Sequence, residues 1–185
     1  PYQLDIGKFN KIAKNIKPGN VASTAFEQSL IVDVKGNPHL FVAVGNGNKD
    51  YSVNFTLWHA MYDFTLRDNV WRALEVATVK AGRGSWGDDA NKINLDMQPM
   101  ATRTTDGTKV FFAWTDNAVY ALGAPNQTPN FFSKALNVKT NLWTPVRDFT
   151  GCNSSINGQI LFPKLAPEVF KVPNSTTYMM AAVYS

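Results

Sequence analysis

Hydrophobic and polar positions alternate through most of this chain. "SLIVDV" (29–34) alternates, "HLFVAV" (39–44) follows a Gly-containing turn, and "FTLWHAMYDF" (55–64) and "VWRALEVAT" (70–78) come next. Period-two alternation bounded by Gly, Asn and Pro predicts four short strands joined by turns, with no convincing helical period. The stretch nearest to a helical pattern is "FNKIAKNI" (9–16), and its place in the repeat described next favours a strand at least as much.

The strand pattern recurs. "IVDVKGNPHLFVAVGN" (31–46) matches "TRTTDGTKVFFAWTDN" (102–117), each a polar turn followed by a strand alternating about a small residue. Gly36 and Gly107 lie 107 − 36 = 71 residues apart, and Trp71 and Trp143, in the matched stretches 62–79 and 135–150, lie 143 − 71 = 72 apart. The ends continue the order: 2–16 resembles the second half of a unit, and 167–185 the first half, with "YMMAAV" (178–183) as its strand.

Four antiparallel strands per unit, repeated with aromatic landmarks, is the pattern of a β-propeller blade. The fold expected is therefore all-β: a half-blade at 1–20, blades at 21–82 and 96–151, and a half-blade at 158–185. Two whole blades and two halves fall short of the roughly four to eight that close a ring. The expectation is a segment of a larger ring, completed by the remaining blades of the same protein or by another copy. A chain that starts without Met and stops in mid-blade points the same way. Trp71 and Trp143, in outer strands, are expected to pack between blades, because an aromatic there buries a large area against the neighbouring sheet.

At 44% hydrophobic and 12% aromatic the chain belongs with globular proteins. Its charged fraction is 17%, below the usual ~25%, and Asn, Thr and Ser supply much of the polar surface. The net charge of +4 is spread over scattered Lys and Arg, with no run that would track a phosphate backbone, so nucleic acid is not an expected partner. No apolar run approaches the ~20 residues of a membrane span. Cys152 is the only cysteine, which removes an intrachain disulfide.

The stretch 100–151, with "TTDGTKVFFAWTD", "LWTPV" and "FTG", resembles the large secreted β-propeller proteins of Bacteroidetes, many of them cargo of the type IX secretion system. The resemblance implies export to the cell surface or medium and a role in binding or assembly. A glycan or an outer-membrane protein would be the partner. It brings no catalytic residues.

Candidate chemistry is sparse. His39 and His59 lie in or beside strands without a metal-binding spacing, and read as satisfied strand histidines. Cys152 in "TGCNSS" has no neighbouring base in sequence. "GRGSWG" (82–87) lacks the Gly-Lys-[Ser/Thr] ending of a phosphate loop. Asp88, Asp89 and Asp96 do not have the spacing of a Ca²⁺ loop. No catalytic residue, metal or cofactor is therefore expected. Sequons begin at Asn54, Asn126, Asn153 and Asn174.

A carbohydrate surface needs aromatic faces beside hydrogen-bonding Asp or Asn. Trp86 with Asp88 and Asp89, and Trp114 with Asp116 and Tyr120, supply those groups near long insertions, although the alternation around Trp114 suggests core packing. The function expected is a non-catalytic, exported binding or assembly module. Two alternatives stand beside it: a glycosidase-type propeller with catalytic residues partly elsewhere, and passive cargo or a structural subunit of an outer-membrane secretion complex.

Overall fold

The computed structural model describes residues 4–48, 52–82, 84–86, 93–95, 97–117, 124–126 and 128–184. They are mostly β, in curled antiparallel sheets. Strands β1 (Val21–Val32), β2 (Pro38–Gly47), β3 (His59–Arg67) and β4 (Val70–Thr78) pair in sequence order as a four-stranded meander. Short strands β5 (Ala81–Gly82), β6 (Gly84–Trp86) and β7 (Ile93–Leu95) follow. A second meander then begins with β8 (Met100–Thr104) and β9 (Lys109–Asp116). β10 (Ala124–Pro125) pairs with β5, and β11 (Asn130–Asn137) pairs with β9 on one side and with β12 (Leu142–Trp143) and β13 (Arg147–Asp148) on the other. Near the end, β14 (Lys164–Leu165) pairs with β17 (Ala182–Val183), and β15 (Glu168–Lys171) with β16 (Tyr178–Met179). β15 also runs parallel to β8, with Glu168 opposite Arg103 and Val169 opposite Thr104, which gives a seven-stranded second sheet.

Local chemistry sets the turns. Between Arg67 and Val70, Asp68 and Asn69 have φ of 52° and 59°, the two-residue left-handed turn whose twist suits a hairpin. In the β1–β2 turn, Asp33 Oδ1 accepts the backbone N–H of Lys35 and of Asn37 at 2.8 and 2.9 Å. In the β8–β9 turn, Asp106 Oδ1 accepts that of Thr108 at 3.0 Å. Gly36 and Gly107 take φ of 79° and 64° in these two turns, a region costly for any residue with a Cβ.

The first strands of the two meanders lie side by side. Ala101 N–H donates to Ser29 Oγ at 3.0 Å, Arg103 Nη1 to the Val32 carbonyl at 2.6 Å, and Val34 N–H to the Gly107 carbonyl at 3.0 Å. Residue numbers rise together in all three contacts, so β1 and β8 run in the same direction, as do β8 and β15.

This contact separates the two glycines. A Cβ on Gly36 would meet nothing within 4 Å, whereas on Gly107 it would lie 2.9 Å from the backbone nitrogen of Val34. Gly36→Ala is expected to lose about 1–2 kcal/mol, the left-handed penalty alone. Gly107→Ala should lose roughly 1–3 kcal/mol more, because backbone must shift. Urea unfolding midpoints compare the pair, and equal losses would refute the close approach of the turns.

Strand alternation distributes the core over three layers of contact. Phe41, Ala43, Met61 and Val76 of the first sheet face Val110, Phe112, Trp114 and Leu136 of the second. The opposite face of the first sheet, with Val42, Val44, Ala60, Tyr62 and Phe64, is covered by Leu4, Ile6, Phe9, Ile12 and Ile16. The opposite face of the second sheet, at Met100, Ala113 and Phe131, meets Ile156, Ile160, Leu165 and Met180. Both sheets are thus covered on both sides.

Three sequence expectations need comment. Of the two readings of 9–16, strand or helix, the structure has the helical one: Ile6–Lys8 is a 3₁₀ turn and Asn10–Ala13 a short α-helix. Ile12 of the helix, with Leu4, Ile6, Phe9 and Ile16 from the segments around it, packs on the first sheet. The strand expected at 178–183 is broken into β16 and β17, which pair with different partners while Met180 turns into the third cluster. Trp71, in β4, packs with the second cluster, and Trp143, in β12, stacks on Phe112 at 5.5 Å between the sheets.

Candidate functional site

The interior holds a polar bridge that fits the reading of His39 as a satisfied strand histidine, although its carboxylate partners were not identified from the sequence. His39 Nδ1 lies 2.7 Å from Asp63 Oδ2 and Nε2 lies 3.3 Å from Asp33 Oδ2, with all three side chains sealed from solvent. Register explains the contact: Phe41 faces Asp63 and Thr65 faces His39 across β2 and β3, so His39 and Asp63 are diagonal neighbours on one side of the sheet. Burial pushes the Asp63 carboxyl up, against the pull of His39 and Arg67. Burial also opposes the charge of Asp33, but hydrogen bonds from Asn37, His39 and Lys35 outweigh it and hold that carboxyl down. Asp63, a charged residue between Tyr62 and Phe64 in an apolar strand, was the available signal. Closed to solvent, with both ring nitrogens directed at carboxylates, the bridge has a structural role.

A surface groove has the features of a ligand site. In a meander alternate turns share an end, so the β8–β9 and β11–β12 turns emerge together. The parallel pairing of β15 with β8 brings the β15–β16 turn to the same end. The three turns enclose a groove of about 530 Å³, within the range of small-molecule sites. Its lining includes Thr104, Thr108, Asn137, Thr140, Phe170 and Tyr178, together with Lys109, Lys139, Lys171 and Asp106. Phe170 is 57% exposed. The Tyr178 ring is held against Phe111 at 5.9 Å, and Lys109 Nζ sits 5.0 Å above its centroid. Asp106 accepts from the Thr104 hydroxyl at 2.6 Å and from the hydroxyl and N–H of Thr108. These donors, that of Thr104 foremost, pull its carboxyl down to about 2. The arrangement offers an aromatic face, hydroxyls and amides for directional hydrogen bonds, and cations.

The residues expected to hold a sugar are placed differently. Trp114 is 1% exposed and packs between Phe41 and Phe132, so it offers no free face; its place in the alternation of β9 decides this. Asp116 is 6% exposed, and its carboxylate accepts the backbone N–H groups of Lys80, Ala81 and Asn117. It ties the start of β5 to the end of β9. For these two residues the expected ligand role is corrected to packing and capping. The Trp86 side chain and residues Asp88, Asp89 and Tyr120 lie outside the described residues. His59 faces the carbonyls of Leu57 and Ala81 at 2.9 and 2.8 Å, while Cys152 lies on an exposed turn. Among the described residues no helix is long and apolar enough to cross a membrane.

No family model, curated protein or solved structure matches this chain.

Proposed function

We propose that this chain is a non-catalytic binding module, built from propeller-type blades, whose turn-bearing end holds a saccharide. The observation that carries the reading is the groove: exposed Phe170 and the braced Tyr178 ring stand beside Thr and Asn side chains that can pair with hydroxyls. Sugars are held by aromatic faces against C–H groups together with directional polar contacts. The blade part of the proposal is supported by β1 and β8, which lie side by side, point the same way and each open a run of antiparallel strands. Further blades or a second copy would then cover the β16 edge. Export to the cell surface or medium belongs to the same proposal and follows the resemblance of 100–151 to secreted propellers.

A glycosidase needs a pair of carboxyls, one of them kept protonated. Asp106 is the carboxylate lining the groove, and its low pKa and three donors suit it to fixing the turn rather than giving up a proton. A glycan array combined with a panel of chromogenic glycosides tests the reading. Binding without turnover is expected, and Phe170→Ala should weaken it by on the order of tenfold, the worth of about 1.4 kcal/mol. Turnover that disappears in Asp106→Asn would overturn the proposal in favour of an enzyme.

A further inference from the structure

We infer that the ligand is an acidic saccharide chain, one carrying carboxylate or sulfate groups, and that it runs across the turn-bearing end beyond the groove itself. This rests on the saccharide reading above. Three lysines, Lys109, Lys139 and Lys171, line the groove against the single carboxylate of Asp106. The charge of Asp106 is directed at Thr104 and Thr108 by hydrogen bonds, and Lys109 is drawn over Tyr178. Glu168, near the rim, accepts from the Thr105 hydroxyl. Among the described residues neither Lys139 nor Lys171 has an ion pair, so both ammonium groups are available to an incoming anion.

A second groove, of about 200 Å³, adjoins the first and repeats its sign. Lys35 and Arg67 line it against Asp68, together with Val138, the residue before Lys139. One turn therefore separates the two grooves. Arg67 donates through Nη1 to Asn141 Oδ1 at 2.9 Å, but its Nε and Nη2 are shielded from solvent without a hydrogen-bond partner. The two grooves together hold five cations against two carboxylates. The aromatic rings and the Thr and Asn groups favour a sugar over a bare phosphate, which offers no C–H face.

Titration calorimetry with a uronic-acid oligosaccharide and its carboxyl-reduced neutral counterpart, of equal length, tests the inference on the whole chain. The acidic oligomer should bind at least about tenfold more tightly, the effect of one charge-assisted contact. That advantage should collapse between about 0.1 M and about 1 M salt, as the Debye length falls from ~10 to ~3 Å. Lys139→Gln combined with Lys171→Gln should bring the acidic oligomer to about the neutral one's affinity, a far larger loss than the neutral oligomer suffers. Phe170→Ala should weaken both. Equal binding of the two oligomers would overturn the inference and leave the saccharide reading standing, whereas binding of neither would remove both. A single-stranded oligodeoxynucleotide bound as tightly through the same lysines would overturn the inference in favour of a general polyanion surface. Unchanged thermal unfolding of the Gln variants would separate lost contacts from lost folding.

Discussion

Replacing His39 by alanine is expected to destabilise the protein by about 3–5 kcal/mol, the usual range when one member of a buried charged or hydrogen-bonded pair is removed. The loss arises from what remains behind. Asp63 would keep its place between Tyr62 and Phe64 with no ring to meet Oδ2, and its Oδ1 has no hydrogen-bond partner even in the native protein. The loss should depend on pH, with a definite sign. The folded pKa of Asp63 is raised from 3.8, so its ionised form is penalised by folding. That penalty is full above the folded pKa and absent below the unfolded one. Removing His39 takes away the main opposing influence and enlarges the penalty. Asp33 has the reverse sign: its folded pKa is lowered from 3.8, so it adds stability above that value, part of it through His39. The Asp63 effect makes the variant's deficit greatest near neutral pH and smaller as pH falls towards 4, whereas the Asp33 part is lost only below 3.8. Urea unfolding of both proteins from about pH 7 to about pH 4 gives the comparison, and Asp63→Asn in the alanine background should recover part of the loss. A deficit that stays constant with pH, or one under about 1 kcal/mol, the range of an ordinary substitution, would mean that the bridge does not support the fold.

The sequence made the strands legible and left the site obscure, for related reasons. Alternation depends on near neighbours, so "HLFVAV" and "KVFFAW" could be read as strands at once, and Asp106-Gly107 as a turn. The same alternation placed Trp114 inward, and burial follows it rather than the proximity of Trp114 to an insertion. At the amino terminus the pattern was also local: 9–16 is the stretch nearest to a helical pattern. Matching to the repeat kept a strand reading beside it, because that comparison asks which segment corresponds to which and not what each would cover. The groove has no local signature. Thr104–Lys109, Asn137–Thr140 and Phe170–Tyr178 are three separate stretches, brought together by the parallel pairing of β8 and β15. Strand alternation does not report parallel pairing between distant segments, so Phe170 and Lys171 read as an ordinary strand end. Asp63 is intermediate: its polarity inside an apolar run is visible, while its partner is identified only by register.

Phe112→Ala is expected to cost about 3–5 kcal/mol, the range for a fully buried phenylalanine, and it tests whether the two sheets stabilise each other. Phe112 is fully buried in β9 and reaches across the interface. Its ring lies 5.0 Å from Phe41, 6.0 Å from His39 and 5.5 Å from Trp143. A double-mutant cycle with Phe41→Ala isolates the contact between sheets. Aromatic pairs contribute about 0.5–1.5 kcal/mol beyond their burial, so the double variant should be more stable than the sum of the single losses implies by about that amount. Phe111 is the internal comparison, since it occupies the adjacent position on the same strand but points the other way, to Tyr178. It is only partly buried, so Phe111→Ala should cost clearly less stability than Phe112→Ala while weakening the groove, whose tyrosine it braces. The two neighbouring substitutions should therefore separate: one acts mainly on unfolding and the other mainly on saccharide binding. A cycle with no coupling between Phe41 and Phe112, or a Phe111→Ala loss as large as that of Phe112→Ala, would mean that the sheets are not stabilised by stacking through this face.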